Sequence, residues 1–308
     1  MNRIGIIIPT YNPGSMWGEW IERFKDQSLM PDVRLIMDSS STDGRLDAET
    51  RKIFDVCTIS KSDFNHGGTR QMALERIAKD IDIVVFMTQD ALLFDTKSLQ
   101  NLVRIFSENS NVGAVYGRQL PHMGSRPSEA HARIFNYADQ DMLKSIASKE
   151  KYGIKSIFIS NSFSAYRVRD LMDVGGFPSN VILGEDTMVA AKLLMTGKSV
   201  YYQADACVYH SHHYTYVEEF KRYFDIGVLH AREPWLLSNF GKVGGEGMRY
   251  LHSEIRFLMA SAWYVIPSAL IRTVCKFAGY KIGRYERLLP TKLKKIFSMY
   301  KVYWLTNK

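Results

Sequence analysis

Cysteine is scarce in this 308-residue chain: Cys57, Cys207 and Cys275 are scattered and form no Cys-x-x-Cys pair. An odd, sparse set argues against a disulfide framework and for a reducing compartment. No secretory leader is expected, because a strand-like run at Ile4–Ile8 follows with no basic region or cleavage site before it. The expected location is therefore cytoplasmic. No stretch reaches the ~20 largely uncharged residues that a membrane-spanning helix needs. The nearest approach, Phe257 to Gly279, is interrupted by Pro267, Arg272 and Lys276. Repeats and disorder-prone tracts are absent as well. What is present is 46% hydrophobic residues, enough for a sizeable core in one large domain or a domain with an extension.

The net charge of +8 is unevenly placed. From Ile255 to Lys308 there are eleven Lys/Arg against the single acid Glu286, a net +10, which leaves −2 for the first 254 residues. A basic tail on a near-neutral body suggests an anionic partner, and charge alone admits nucleic acid or anionic lipid. Trp263, Tyr264 and Phe277 beside basic residues suit an amphipathic helix lying on a membrane surface. The alternative is a pair of packing helices with solvated Lys/Arg faces. No nucleic-acid-binding motif accompanies the basic residues.

The first ~210 residues alternate short apolar runs with helical patterns. Strands are expected at Ile4–Ile8, Val33–Met37, Val56–Ile59, Ile83–Met87, Val112–Tyr116 and Ser156–Ser160. Helices are expected at Met16–Lys25, Gly68–Ala78, Lys97–Ser107, Glu129–Ala147, Glu185–Met195 and Tyr216–His230. The rhythm indicates a mostly parallel sheet flanked by helices. Ligands of such sheets bind beyond the carboxyl ends of the strands. Pro9-Thr10-Tyr11-Asn12, Asp38-Ser39-Ser40 and Gln89-Asp90 all fall there, so three strand ends deliver polar groups to one rim.

Ile6-Ile7-Ile8-Pro9-Thr10-Tyr11-Asn12 closely resembles the opening of the family 2 glycosyltransferases. Asp38-Ser39-Ser40-Ser41-Thr42-Asp43-Gly44 resembles that family's second-strand motif. Met87-Thr88-Gln89-Asp90 lies where the family carries its Asp-x-Asp metal motif, with Thr88 replacing the first acid. Gly184-Glu185-Asp186 resembles the Glu-Asp motif that supplies the base in inverting members, and Tyr209-His210 resembles a late histidine that completes the metal shell. The resemblance spans roughly residues 3 to 230. It implies a GT-A fold, a Rossmann-like, mixed but mostly parallel sheet, over residues 1–230, with a helical extension over 231–308.

A narrower resemblance rests on Phe64-Asn65-His66-Gly67-Gly68-Thr69-Arg70, Thr88-Gln89-Asp90-Ala91 and Tyr209-His210-Ser211-His212-His213. These segments are similar to bacterial rhamnosyltransferases of O-antigen assembly. That likeness implies a dTDP-L-rhamnose donor, a lipid-linked saccharide acceptor and work at the inner face of the cytoplasmic membrane. Under it, Pro9, Thr10, Tyr11, Asn12, Asp38, Ser40, His66, Gly67, Arg70 and Gln89 bind the nucleotide sugar. Asp90 and His210 hold Mg²⁺ or Mn²⁺, with His212 or His213 as alternatives. Asp186 is the base and Glu185 its rival or helper. The glycines would permit close backbone approach to a phosphate, with a helix N-terminus and Arg70 adding positive charge. A nucleotidyltransferase is disfavoured, because Thr10-Tyr11-Asn12-Pro13-Gly14 is not a Gly-rich basic loop. A non-catalytic binder has no need of Glu185-Asp186.

Overall fold

The computed structural model describes residues 2–241 and 245–306; Lys308 of the basic tail lies outside the described residues. Among the described residues, nine strands form one sheet: β1 (Ile4–Thr10), β2 (Val33–Asp38), β3 (Asp55–Thr58), β4 (Ile83–Met87), β5 (Leu92–Leu93), β6 (Val112–Leu120), β7 (Met142–Lys144), β8 (Phe163–Arg167) and β9 (Ser199–Tyr209). Their order is β3-β2-β1-β4-β8-β6-β9-β5, with β7 paired to β9. β1, β2, β3, β4, β6 and β9 run one way; β5, β7 and β8 run against them. The sheet is mixed and mostly parallel, as expected.

Alternate residues of the central strands feed two cores. Ile7, Leu35, Val84 and Phe86 face helices His66–Ile77 and Glu185–Met195. Ile6, Ile8, Ile36 and Val85 face helices Trp17–Lys25 and Ser98–Glu108. Helices on both faces leave these strands no solvated side, which explains their unbroken apolar runs.

The middle of the chain departs from expectation. The helix expected over Glu129–Ala147 runs only Pro127–Asn136. Beyond it, the Asp141 carboxylate accepts from Ala204 N at 2.7 Å and Tyr201 OH at 3.0 Å, which draws the chain into the β7–β9 pairing. The expected strand Ser156–Ser160 is not formed. Gly153–Ile157 is a tight helical turn, and the buried Lys144 ammonium takes the carbonyls of Lys155 (3.2 Å) and Phe158 (3.0 Å) that a ladder would use. The strand is instead β8, antiparallel between β4 and β6.

The C-terminal segment is built into the body. Helix Ile266–Arg284 lies along helix Tyr216–Arg232 at backbone contact: a Cβ at Gly279 would stand 2.2 Å from Phe220 O, and one at Gly283 2.1 Å from Phe224 O. Glu286, 1% exposed, bridges Arg232 (2.9 Å) and Lys294 (2.5 Å), and Asp225 accepts Met299 N at 2.9 Å. Because the obstacle at Gly283 is backbone, Gly283→Ala is expected to cost ~1–3 kcal/mol by overpacking, a drop of a few degrees in Tm by calorimetry. An unchanged Tm would show that the two helices do not meet this closely. The opposite side of this segment is apolar and open, with Trp263, Tyr264, Val274, Phe277 and Leu288 all exposed. Among the described residues, no helix is long and apolar enough to cross a membrane.

Candidate active site

The expected residues fall into two groups. Pro9, Thr10, Tyr11, Asn12, Asp38, Ser40 and Gln89 occupy the ends of β1, β2 and β4. There the loops are stitched to one another. Asn12 N donates to Ser41 Oγ (2.8 Å), and Thr42 N donates to Asn12 Oδ1 (2.7 Å). The Asp38 carboxylate, 5% exposed, accepts Ser41 N (3.1 Å) and Ser41 Oγ (2.5 Å). Asn12 (φ 43°) and Ser40 (φ 61°) adopt the left-handed backbone these tight loops require. Gln89 exchanges two hydrogen bonds with the Tyr11 backbone, at 2.8 and 3.0 Å. The Lys61 ammonium sits 4.2 Å from the Tyr11 ring centre, which gives the rim a cation over an aromatic face. Thr10 is turned inward, with its hydroxyl donating to Ile8 O at 3.2 Å.

His66, Arg70, Asp90, Glu185, Asp186 and His210 line a single cavity of about 910 Å³. Gln89 ties the two groups together, since it lies between Thr88 and Asp90 of the cavity wall. Gly67 is required by packing: a Cβ there would fall 1.9 Å from Pro178 O. The adjoining helix N-terminus, expected to receive an anion, is capped by Asn65 Oδ1 on Gly68 N at 2.8 Å. Arg70 is spent on Glu185 Oε1 (3.0 Å) and His66 O (2.9 Å).

Asp90, His210 and His212 bring one ligand atom each to within 4.8 Å of one another. His210 Nε2 is 3.4 Å and His212 Nδ1 3.8 Å from Asp90 Oδ2. Gln119 Oε1, which accepts Arg133 Nη1 at 2.5 Å, also meets His210 Nδ1 at 2.9 Å. As an acceptor it takes the Nδ1 hydrogen bond and turns Nε2 toward Asp90. Burial, and then the neighbouring His210, push His212 down to about 3, so its imidazole is neutral, the form that binds metals. Burial works to raise Asp90, but the His210 hydrogen bond and charge hold it well below the usual carboxylate range. This donor set fits a divalent cation with open positions left for substrate oxygens. His213, the third histidine of the cluster, points away to Glu129 Oε1 at 2.5 Å.

The acid pair opens helix Glu185–Met195 behind Gly184, whose φ of 79° turns the chain into the cavity. Glu185 is 6% exposed, and although burial raises it, Arg70 and then His66 hold it low. Asp186 is pushed up to about 6 by burial and then by the Glu185 charge. Its oxygens accept Asn161 N (3.2 Å) and Thr187 N (2.7 Å). Two adjacent carboxyls are thus driven apart: one is a locked ion, the other titrates near neutrality, which suits a base.

His212, expected only as an alternative ligand beside His213, takes its place in the cluster, since residues 210 and 212 share a side of an extended segment while 213 faces away. Several further cavity residues were not expected: Asn161, Gln119, Arg222 and Tyr300 carried no signal. Tyr300 reaches the site from the far C-terminus, its ring 4.7 Å from that of His66.

Residues 83–282 match the model of the glycosyl transferase family group 2. The chain is 47% identical over 303 residues to the O-antigen chain rhamnosyltransferase RfbN of Salmonella typhimurium, covering 98% of this chain and 96% of that protein. It is 46% identical to WbaN of Salmonella anatum, also an O-antigen chain rhamnosyltransferase, covering 97% and 95%. Among solved structures, the mannosyltransferase PcManGT of Pyrobaculum calidifontis, in complex with GDP-Man and Mn²⁺, superposes with a TM-score of 0.54 at 21% identity, covering 99% of this chain and 85% of that one. TarS 1-349 of S. aureus gives 0.53 at 15% identity, covering 92% and 91%. At these identities the structural likeness speaks for the fold alone. The order of the strands, the acid pair at a helix start beside an Asp-His-His cluster, and relatives matched along nearly their whole length agree: the chain belongs to the family 2 glycosyltransferases, with the GT-A fold.

Proposed function

We propose that the protein transfers L-rhamnose from dTDP-β-L-rhamnose, with inversion, to a hydroxyl of a lipid-linked saccharide in O-antigen assembly. The observation that carries the reading is a single cavity holding both the raised Asp186 and the Asp90–His210–His212 cluster. The rhamnose assignment is supported by the names of the two relatives and by the Phe64–Arg70 segment. Asp186 accepts the proton of the acceptor hydroxyl while the sugar carbon is attacked opposite the leaving group. The bond to the diphosphate oxygen breaks, its electron pair leaves with dTDP, and an α-L-rhamnoside results. A divalent cation on the cluster would supply charge compensation for that diphosphate, and two imidazoles favour Mn²⁺ over Mg²⁺. Glu185 keeps Asp186 basic. The exposed Trp263, Tyr264, Val274 and Phe277 beside basic residues support peripheral contact with the inner face of the cytoplasmic membrane.

The deciding experiment is a donor screen with Mn²⁺. Hydrolysis of dTDP-rhamnose at least about tenfold faster than that of UDP-N-acetylglucosamine or GDP-mannose is expected, a 1.4 kcal/mol preference in the transition state. Preference for a UDP or GDP sugar would sink the donor assignment.

A further inference from the structure

The cavity continues past the acid pair to the C-terminal helices, where Arg272 and Lys276 line it. They stand one turn apart on one face of helix Ile266–Arg284. Their side chains are 13% and 17% exposed. The carboxylate in ion-pair range of both is Glu219, 3.5 Å from Arg272 Nη1 and 3.6 Å from Lys276 Nζ. One carboxylate for two sheltered cations leaves positive charge over. Both separations exceed the about 2.7–2.9 Å of a charge-assisted hydrogen bond. Glu254 also lines this part of the cavity, its carboxyl raised by burial despite its Ser128 hydrogen bond and the charge of Lys276.

The two cations are held in place. Arg272 Nη1 donates to Tyr214 O at 2.6 Å, and its guanidinium lies 5.0 Å from the Tyr216 ring. The Lys276 ammonium lies 5.0 Å from the Tyr250 ring. On the outer side of the same helix, Ile271, Val274 and Phe277 are 51%, 66% and 64% exposed, and Trp263 and Tyr264 just before it are 73% and 70% exposed. A single helix therefore presents fixed cations to the cavity and an open apolar stripe to the outside. A ligand with an anionic head and an apolar tail matches both sides at once.

We propose that Arg272 and Lys276 form an anion subsite for the diphosphate that joins the acceptor saccharide to its lipid, the lipid leaving along the outer stripe. This deepens the proposed function, resting on its lipid-linked acceptor. Binding is tested without donor, metal or turnover, so an error in the donor assignment leaves the result readable.

Isothermal titration of the full chain with farnesyl diphosphate, in chelator, is expected to show binding. It should weaken at least about tenfold in R272Q/K276Q, which loses two charged hydrogen-bond donors. R272K/K276R should recover most of it. Glu219→Gln, which removes the competing carboxylate, should tighten it severalfold and answers the question even if the double variant folds poorly. Unchanged affinity in R272Q/K276Q, weaker binding in E219Q, or no binding by the wild type would overturn the proposal. Flotation with phosphatidylglycerol vesicles separates the two sources of phosphate. An equal loss there would overturn it in favour of a general headgroup contact, and unchanged flotation supports a diphosphate subsite.

Discussion

Asp186→Asn is expected to lower kcat by about 10²–10⁴-fold, the usual worth of a positioned base, with little change in the KM for donor. The amide keeps the size of the side chain and its place at the start of helix Glu185–Met195 but cannot take a proton. The pH dependence makes the test specific. Asp186 is raised to about 6, first by burial and then by Glu185. A base must be ionised to work, so kcat/KM should be level above that pH and fall as pH drops through it. Glu185→Gln removes the neighbouring negative charge and frees the Arg70 guanidinium, 3.0 Å away in the native protein. Both changes favour the Asp186 carboxylate, so the acidic limb should move down toward the ordinary carboxylate range. A D186N enzyme that keeps its activity and the same limb would remove Asp186 from the mechanism.

The strands that carry this chemistry were legible because burial on both faces leaves a plain mark. Ile4–Ile8 and Ile83–Met87 are apolar at nearly every position, and the polar residues after each land on one rim. β8 was not legible: Phe163-Ser164-Ala165-Tyr166-Arg167 mixes polar and apolar residues, yet its first four positions are buried. Ser164 is tolerated there because its hydroxyl reaches Asn161 Oδ1 at 2.8 Å, a contact that no periodicity announces. The same holds for the site. Glu185, Asp186, Asp90 and His210 stand at strand ends and a helix start, where local pattern has meaning. Gln119 and Asn161 act through tertiary hydrogen bonds to them, and Tyr300 arrives over a hundred residues later in the chain.

The division into a 1–230 domain and a 231–308 extension follows the composition of the chain. The composition change is real, but Gly279 and Gly283 bring the extension to backbone contact with helix Tyr216–Arg232. Tyr250, Glu254, Arg272, Lys276 and Tyr300 all line the cavity. Charge counting registered a basic tail; it could not register that one face of that tail is a wall of the site and the other an exposed apolar surface.

Removal of metal should abolish transfer in excess chelator and Mn²⁺ should restore it, with Mg²⁺ less effective because two of the three protein ligands are imidazoles. Mn²⁺ affinity, followed by the loss of its free-ion electron paramagnetic resonance signal, separates the roles of the histidines. His210→Ala and His212→Ala each delete a ligand. Each should weaken binding by more than the ~10–100-fold that follows loss of a second-shell partner. Gln119→Leu should fall within that range, because it frees His210 to turn and to exchange its tautomer. His213→Ala should change affinity less than twofold, about 0.4 kcal/mol, since His213 is bound to Glu129 and is not part of the Asp90–His210–His212 group. Equal losses for His212 and His213 would show that the cluster is a surface feature rather than a metal site. The lone carboxylate sharpens the expectation. With Thr88 where the family carries an acid, the cluster offers one negative charge, and the donor diphosphate must complete the neutralisation of the ion. Mn²⁺ should therefore bind more tightly when dTDP is present, and by linkage dTDP should bind more tightly with Mn²⁺, by the same factor. Titrations that show no such coupling would place the metal and the nucleotide in separate sites.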